Sequence, residues 1–362
     1  MLALRKTSPH YDERVRPPIF GNAVGNSIVD GMQAGSAAKD QKKLDTALKE
    51  MGVVKDDAKA VADALSDPTK RAELQSRGYN PDKLRSTYVA DLASGDVYLD
   101  YKNPTNDPVQ AAKIDGMKEA LGYFGVNRLS DTQLTDLHLD PNAFKNDKSG
   151  YYAALYKDET TGGYLLANRG TESVRDLFTD LKNNFGGVDA QFDQAATLAR
   201  TLSANETVGG NLTFTGHSLG GGLASAQAAA VNGHAITFNA AGLTQRVADK
   251  LQLNLSAENK ANIEANYVKG DLVSGLQDST LVDIAGAVLG TPVKYAIDAV
   301  GLLSGQIKPS DLNLTIGYAP EAFGMRRMIE ASSRVSASPL TRHYNSSVLQ
   351  SLTDMILAPA AP

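Results

Sequence analysis

A serine flanked by glycines two positions away on either side is the clearest chemical feature of this chain. Residues 216–220 read Gly-His-Ser-Leu-Gly, after the strand-like run 212–215 and before the small-residue run 221–228. Glycines at these positions let a backbone turn sharply from a strand into a helix, which presents the serine hydroxyl above a sheet. The pattern predicts Ser218 as a nucleophile, with the backbone N–H of Leu219 beside its hydroxyl.

A serine hydroxyl becomes a good nucleophile only when a base takes its proton, and a histidine usually supplies that base. On a strand–turn–helix motif of this kind, the acid follows the serine in the chain and the histidine follows the acid. The histidines of the chain are His10, His138, His217, His234 and His343. His10 and His138 precede the serine. His217 lies inside the turn and is expected to point away from the hydroxyl, and His234 begins the next strand. His343 is therefore the predicted base.

The acid that orients the histidine is expected at the end of a strand. Asp271 follows the strand-like run 263–268 and the turn residue Gly270. The carboxyl ends of parallel strands share one sheet edge with the serine turn, so an acid placed here can reach the histidine. Asp271 is the predicted acid, and Asp278 and Asp283 are its alternatives.

Strand-like and helical runs alternate along most of the chain, which predicts an α/β fold with a mostly parallel central sheet. We assign this domain to residues 86–362, and residues 96–101 alternate like its first short strand. Residues 1–85 are predicted to form a small helical N-terminal extension. This extension either packs on the main domain or serves in docking or export.

Four stretches of the chain resemble the class 3 lipase family of α/β-hydrolases, which includes fungal triacylglycerol lipases and bacterial phospholipases A1. They are residues 167–181, which contain Arg-Gly-Thr, the turn at 215–221, the strand-like run at 236–241, and Gly-Asp-Leu-Val at 270–273. The resemblance extends from about residue 90 to about 350. It implies an α/β-hydrolase fold.

The resemblance also implies roles for residues that periodicity does not single out. Thr171 follows Arg-Gly and would join the Leu219 N–H in an oxyanion hole, where each donor typically lowers the barrier by about 3 kcal/mol. The next segment, 172–187, matches the position of the family's lid. The segment carries an apolar stripe that suits a lid or ordinary core packing equally. The stripe consists of Val174, Leu177, Phe178, Leu181 and Phe185.

The function implied by the family is hydrolysis of lipid carboxylic esters through an acyl-enzyme. We expect a phospholipase A1, because the N-terminal extension and the apolar run 281–303 suit an exported protein that acts on membranes. A triacylglycerol lipase or a soluble-ester esterase is the alternative, and a non-catalytic lipid-binding protein is a more distant one. The apolar run is interpreted as a membrane-docking element in preference to a buried helical hairpin.

Composition limits the chemistry, the partners and the location that the chain can have. The chain has 362 residues, a net charge of −5 and no cysteine, which excludes thiolate chemistry, disulfides and Cys-ligated zinc. No basic run suggests nucleic acid as a partner, and no metal or cofactor is expected. Residues 1–20 lack the apolar core of a Sec-type signal peptide, so we expect leaderless secretion or else a cytoplasmic location. The expected partners are a lipid substrate, a membrane surface and a protein for export or inhibition.

Overall fold

A single mixed sheet organises the chain. The computed structural model describes residues 23–101, 107–170, 189–277 and 321–359. The strands are β1 (Val126–Arg128), β2 (Lys145–Asn146), β3 (Tyr151–Asp158), β4 (Tyr164–Asn168), β5 (Leu212–His217), β6 (His234–Phe238), β7 (Ile263–Val268) and β8 (Met325–Ile329). They are arranged in the order β1-β3-β4-β5-β6-β7-β8, with β2 paired to β3. All pairs from β4 to β8 are parallel, whereas β1 and β4 run antiparallel to β3.

Helices cover both faces of this sheet. They are α1 (Ala23–Ser66), α2 (Pro68–Ser76), α3 (Pro81–Asp96), α4 (Pro108–Gly122), α5 (Asp131–Asp136), α6 (Asp189–Ser203), α7 (Leu219–Val231), α8 (Gln245–Leu251), α9 (Ala257–Ala261), α10 (Leu272–Gln277), α11 (Pro339–His343) and α12 (Asn345–Leu357). Because side chains alternate along a strand, Leu165 and Leu166 of β4 belong to two separate apolar clusters. The first cluster joins the sheet to α1, α3, α4 and α12, and the second joins it to α6, α7 and α8. The predicted α/β fold is therefore confirmed as three layers.

The helical N-terminal segment shares the core of the sheet. Val61 and Leu65 of α1 are buried in the same apolar cluster as Tyr88 of α3 and Tyr156 of β3. The boundary expected between residues 85 and 86 falls inside α3. In the described part of the chain, the extension is thus packed against the main domain.

The strand expected at residues 96–101 is absent, and that prediction is wrong. Here α3 continues to Asp96, and the N–H groups of Val97 and Leu99 bond locally to the carbonyls of Ala93 and Asp96. The alternation has another origin, since the Tyr101 hydroxyl donates to the buried Asp96 carboxylate at 2.6 Å. The pattern reflects a buried polar cluster rather than a pleated strand.

The N-terminal helical segment is joined to the last described helix through α2 and α12. Lys70 donates to the carbonyl of Ala358 at 2.7 Å, and Arg77 donates to the carbonyls of Ala358 and Met355 at 3.1 and 2.9 Å. These carbonyls belong to the last turn of α12 and have no partner within the helix. Basic side chains of α2 therefore cap the C-terminal helix.

Two sequence expectations concern residues outside the described ranges. They are the apolar run 281–303 and the N-terminal residues 1–20. Among the described residues, no helix combines the length and the apolar character needed to cross a bilayer.

The packing of α1 on α4 can be tested at Gly116. A Cβ there would lie 2.7 Å from Cβ of Met51, which is closer than packed side chains approach. We expect Gly116→Ala to lower the free energy of unfolding by about 1–3 kcal/mol, because α1 must shift away. Gly122→Ala in the same helix is the control, since open space surrounds that position. It should be neutral or stabilising by about 0.5–1 kcal/mol in urea denaturation. Equal effects of the two substitutions would contradict the α1–α4 contact.

Candidate active site

Ser218 lies on a strained turn between β5 and α7. Its φ of 58° and ψ of −123° fall in a region that ordinary residues rarely adopt, at a cost of order 1–3 kcal/mol. Hydrogen bonds hold the turn: the Ser218 N–H donates to the Phe238 carbonyl, and the Ser218 carbonyl accepts from the N–H groups of Gly221 and Ala241, all at 3.0 Å. The end of β6 thereby fixes the serine from both of its backbone groups.

Two glycines of the turn are required by close backbone contacts. A Cβ at Gly216 would lie 2.3 Å from the Gly220 carbonyl oxygen, and a Cβ at Gly220 would lie 2.3 Å from the Asn168 carbonyl oxygen. No side chain fits at these distances without moving the backbone. The first turn of α7 is therefore pressed against both β5 and the end of β4.

Three predicted residues come together in one hydrogen-bonded chain. Ser218 Oγ is 3.0 Å from His343 Nε2, and His343 Nδ1 is 2.7 Å from Asp271 Oδ1. An ionised carboxylate can only accept, so Nδ1 carries the proton and Nε2 accepts from the serine hydroxyl. All three side chains are buried, with Asp271 completely so. Asp278 and Asp283, the alternatives for the acid, lie outside the described residues.

Asp271 is positioned by the turn that ends β7. Gly270 has a φ of +78°, and the Asp271 N–H donates to the Val268 carbonyl at 2.9 Å. The carboxylate oxygen that does not face His343, Oδ2, accepts from the N–H of Ser274 at 2.7 Å, at the start of α10. Hydrogen bonds at both oxygens thus fix the Asp271 carboxyl group behind the imidazole.

Two further residues hold the backbone of His343, and the sequence analysis missed their role. His217 Nε2 bonds to the His343 carbonyl oxygen, and the two imidazole rings lie 4.9 Å apart. Asn239 Nδ2 donates to the carbonyls of His343 and Arg342 at 3.2 and 3.0 Å, while its Oδ1 accepts from the N–H of Val268. Both residues lie at carboxyl ends of parallel strands, the rule that singled out Asp271. The same rule could have indicated them.

Burial keeps His217 neutral. Its ring is enclosed and faces His343, and these two causes lower the pKa of His217 from 6.5 to about 3. A carbonyl oxygen only accepts, so Nε2 carries the proton that His217 donates to it. His217 therefore acts as an uncharged donor.

The surroundings of the predicted oxyanion hole are described in part. Leu219 is the first residue of α7, so its N–H has no carbonyl partner within the helix. The Gly170 N–H donates to the Tyr98 hydroxyl at 2.9 Å, and a Cβ at Gly170 would lie 2.7 Å from the His217 carbonyl oxygen. The segment that leads to Thr171 thus lies against the serine turn. Outside the described residues lie Thr171, Val174, Leu177, Phe178 and Leu181.

No group of three or more His, Asp or Glu side chains within the described ranges could hold a metal ion. The acidic and imidazole groups at the site face each other and the serine instead. The chemistry that this arrangement allows is proton transfer from a serine hydroxyl to a histidine that a carboxylate orients.

Comparison with known proteins identifies the family. Residues 89–316 match the family model described as phospholipase-like, a Tle-like phospholipase domain, which is more than half of the chain. The chain belongs to this family. The membership agrees with the resemblance to lipases and bacterial phospholipases in the four sequence stretches.

Two individual proteins are similar to this chain over shorter lengths. The extracellular phospholipase A1 of Serratia liquefaciens is 35% identical over 164 residues, which are 44% of this chain and 50% of the relative. The chain therefore matches about half the length of this curated relative. A fungal lipase solved with an inhibitor, as a model for interfacial activation in lipases, matches 56% of this chain and 77% of its own at 13% identity, with a TM-score of 0.34. The assignment of the fold rests on the sheet and the serine turn described above.

The neutral state of His217 predicts a pH dependence of stability. Between pH 6.5 and about 3, the unfolded chain binds a proton at His217 that the folded protein excludes. The free energy of unfolding should therefore fall as the pH falls through this window, by up to about 1.4 kcal/mol per pH unit from this group. We expect His217→Gln to flatten that slope in urea denaturation at pH 4 to 7, because glutamine does not titrate. His234→Gln, at an exposed histidine, is the control and should keep the wild-type slope. An unchanged slope in His217→Gln would refute the neutral buried imidazole.

Proposed function

We propose that this chain is a serine carboxylester hydrolase that acts on lipids. The observation that carries the proposal is the buried hydrogen-bonded chain from Ser218 through His343 to Asp271. Membership in a phospholipase-like family supports the same reaction class. In this proposal Ser218 is the nucleophile, His343 the general base and acid, and Asp271 the group that orients the imidazole.

The proposed reaction has two steps. In the first, His343 takes the proton from Ser218 while Oγ bonds to the acyl carbonyl carbon, and Asp271 stabilises the imidazolium. The negative charge on the former carbonyl oxygen is stabilised by the N–H groups of Leu219 and Thr171. The ester C–O bond then breaks, and His343 gives its proton to the departing alcohol oxygen.

The second step releases the fatty acid. Water replaces the alcohol, His343 takes a proton from that water, and the resulting hydroxyl attacks the acyl-enzyme carbonyl. The bond to Ser218 Oγ breaks and the proton returns to the serine. The enzyme is regenerated with no net change in its protons.

For the substrate we propose a membrane phospholipid, cleaved as by a phospholipase A1. The supports are the family's phospholipase-like description and the Serratia relative, which is named extracellular phospholipase A1. The segment 172–187 would act as a lid over Ser218 or pack as core, and the protein would act at a membrane surface after leaderless export. A protein that assists export or inhibits the enzyme would be a further partner.

Loss of the nucleophile or of the acid tests the mechanism. Ser218→Ala should abolish ester hydrolysis, because no other hydroxyl is hydrogen-bonded to His343 in the described part of the chain. Asp271→Asn should lower kcat by about 10⁴-fold with little change in KM, because the imidazole loses its orienting charge. The measurement is release of p-nitrophenol from a short-chain ester. Ser203→Ala, at an exposed serine, should retain full activity. Full activity of Ser218→Ala would refute the proposed function.

The substrate class is tested by product analysis. A phosphatidylcholine with different acyl chains at its two positions should release chiefly the chain from the sn-1 position, measured by mass spectrometry. Triolein should be hydrolysed more slowly at the same lipid concentration, because the proposed substrate carries a phosphate headgroup. Equal rates on the two lipids would indicate a general lipase, and hydrolysis of soluble esters alone would indicate an esterase.

A further inference from the structure

A cluster of lysines surrounds an apolar cavity between α1 and α4. We call it the lysine groove, and it consists of Lys39, Lys42 and Lys43 of α1 with Lys113 of α4. The cavity has a volume of about 510 Å³, and apolar atoms of Ala47 and Val109 line it. Glu50 is the acidic residue in this lining. The groove therefore carries an excess of positive charge on a chain whose net charge is −5.

The acidic side chains beside the groove are engaged locally. Asp40 pairs with Lys43 at 3.3 Å, Asp45 accepts from Gln41, and Asp107 caps the start of α4. The Asp40–Lys43 pair is exposed on both sides, and such pairs are weak and screened by salt. Among the described residues, it is the one ion pair that the lysines of the groove make. Most of their charge is thus available to a partner.

The start of α4 shares a cavity with the segment that leads to the serine turn. Gly170 lies against the turn and donates to the Tyr98 hydroxyl. Tyr98, Arg169 and Gln110 line a second cavity of about 550 Å³ at this edge of the sheet. Gln110 lies in the first turn of α4, and Lys113 follows one turn later. The start of α4, where the groove lies, is therefore near the segment that leads to the serine turn.

We propose that the lysine groove docks this protein on a bilayer that contains anionic phospholipids. The ammonium groups bind headgroup phosphates while the aliphatic stems and the apolar cavity face the upper part of the acyl chains. The positive charge of the groove favours an anionic membrane. Each lysine near an anionic surface strengthens binding about fivefold, which corresponds to a free energy of about 1 kcal/mol. The proposal rests on the proposed function, because the purpose of docking is to bring Ser218 to its lipid substrate.

Vesicle binding tests the proposal in the Ser218→Ala background, so that lipid is not consumed. The test variant carries Lys→Gln at positions 39, 42, 43 and 113. The control carries Lys→Gln at Lys59, Lys157, Lys250 and Lys260, which makes the same change of charge elsewhere. Two of these lysines lie near the amino ends of parallel strands, which is the edge of the sheet opposite to Ser218. Lys157 pairs with Tyr164 at the start of β4, and Lys260 lies shortly before β7. Co-sedimentation is measured with vesicles of phosphatidylcholine, with and without phosphatidylglycerol.

We expect the parent protein to bind the anionic vesicles more tightly than the neutral ones, and the difference to shrink as salt is added. The groove variant should lose at least about 100-fold of its affinity for anionic vesicles, whereas the control variant should lose only a few-fold. Equal losses in the two variants, or equal binding to both vesicle types, would overturn the proposal. So would a groove variant that changes the oligomeric state without changing vesicle binding, because the groove would then join two copies of the chain.

A parallel assay separates this proposal from the proposed function. In the background with Ser218 intact, both lysine variants should hydrolyse a soluble short-chain ester at the wild-type rate. Only the groove variant should be slower on anionic vesicles. If the intact protein hydrolyses no ester and still binds anionic vesicles through the groove, the function fails and the docking surface remains.

Discussion

The candidate site depends on the close approach of three backbone segments around Ser218. The end of β4, the turn from β5 into α7 and the end of β6 meet there without intervening side chains. A Cβ on Gly220 would lie 2.3 Å from the Asn168 carbonyl oxygen, and one on Gly221 would lie 2.6 Å from Ala240 Cβ. Parallel pairing of these strands sets their ends level at one edge. The strained conformation of the serine persists because its neighbours leave it no alternative.

The histidine reaches this edge from far along the chain and is held there by buried polar groups. His217 and Asn239 hold its carbonyl, and Asn345 donates to the Asp91 carboxyl oxygen Oδ1 at 2.7 Å just beyond it. Asp91 is fully buried, and this burial raises its pKa well above the usual range for a carboxyl. A neutral carboxyl in this position avoids the large cost of an unpaired buried charge. The approach of His343 to the serine is therefore determined from several directions.

Much of the site was accessible to sequence analysis because its signals are local. The glycine spacing around Ser218 describes one turn, and the chain order of acid and histidine selected Asp271 and His343. The role of His217 was missed, because its contact with the His343 carbonyl depends on where the chain returns 126 residues later. Which side chains meet over such a separation is a property of the folded core. No periodic pattern along the chain encodes it.

The fold shows the same division between local and long-range information. The alternation of strands and helices identified the layers, but it did not identify β8, an edge strand with two arginines and the exposed Met325 and Met328. Edge strands often carry charged side chains that oppose pairing with another chain, so β8 lacks the apolar run typical of central parallel strands. The error at residues 96–101 arose from Asp96, whose buried carboxylate accepts from the hydroxyl groups of Tyr101 and Tyr156. Polar residues that serve a buried cluster imitate the pattern of a half-exposed strand.

The attachment of α12 at both of its ends has a consequence for synthesis of the protein. Asn345 ties its start to α3, and Arg77 and Lys70 of α2 bind its last carbonyls. On the ribosome, Ser218 and Asp271 emerge long before His343 and the helix that holds it. An unfinished chain therefore contains the proposed nucleophile without its proposed base. The proposed triad can therefore form only after translation has passed α12, when this helix can pack on α2 and α3.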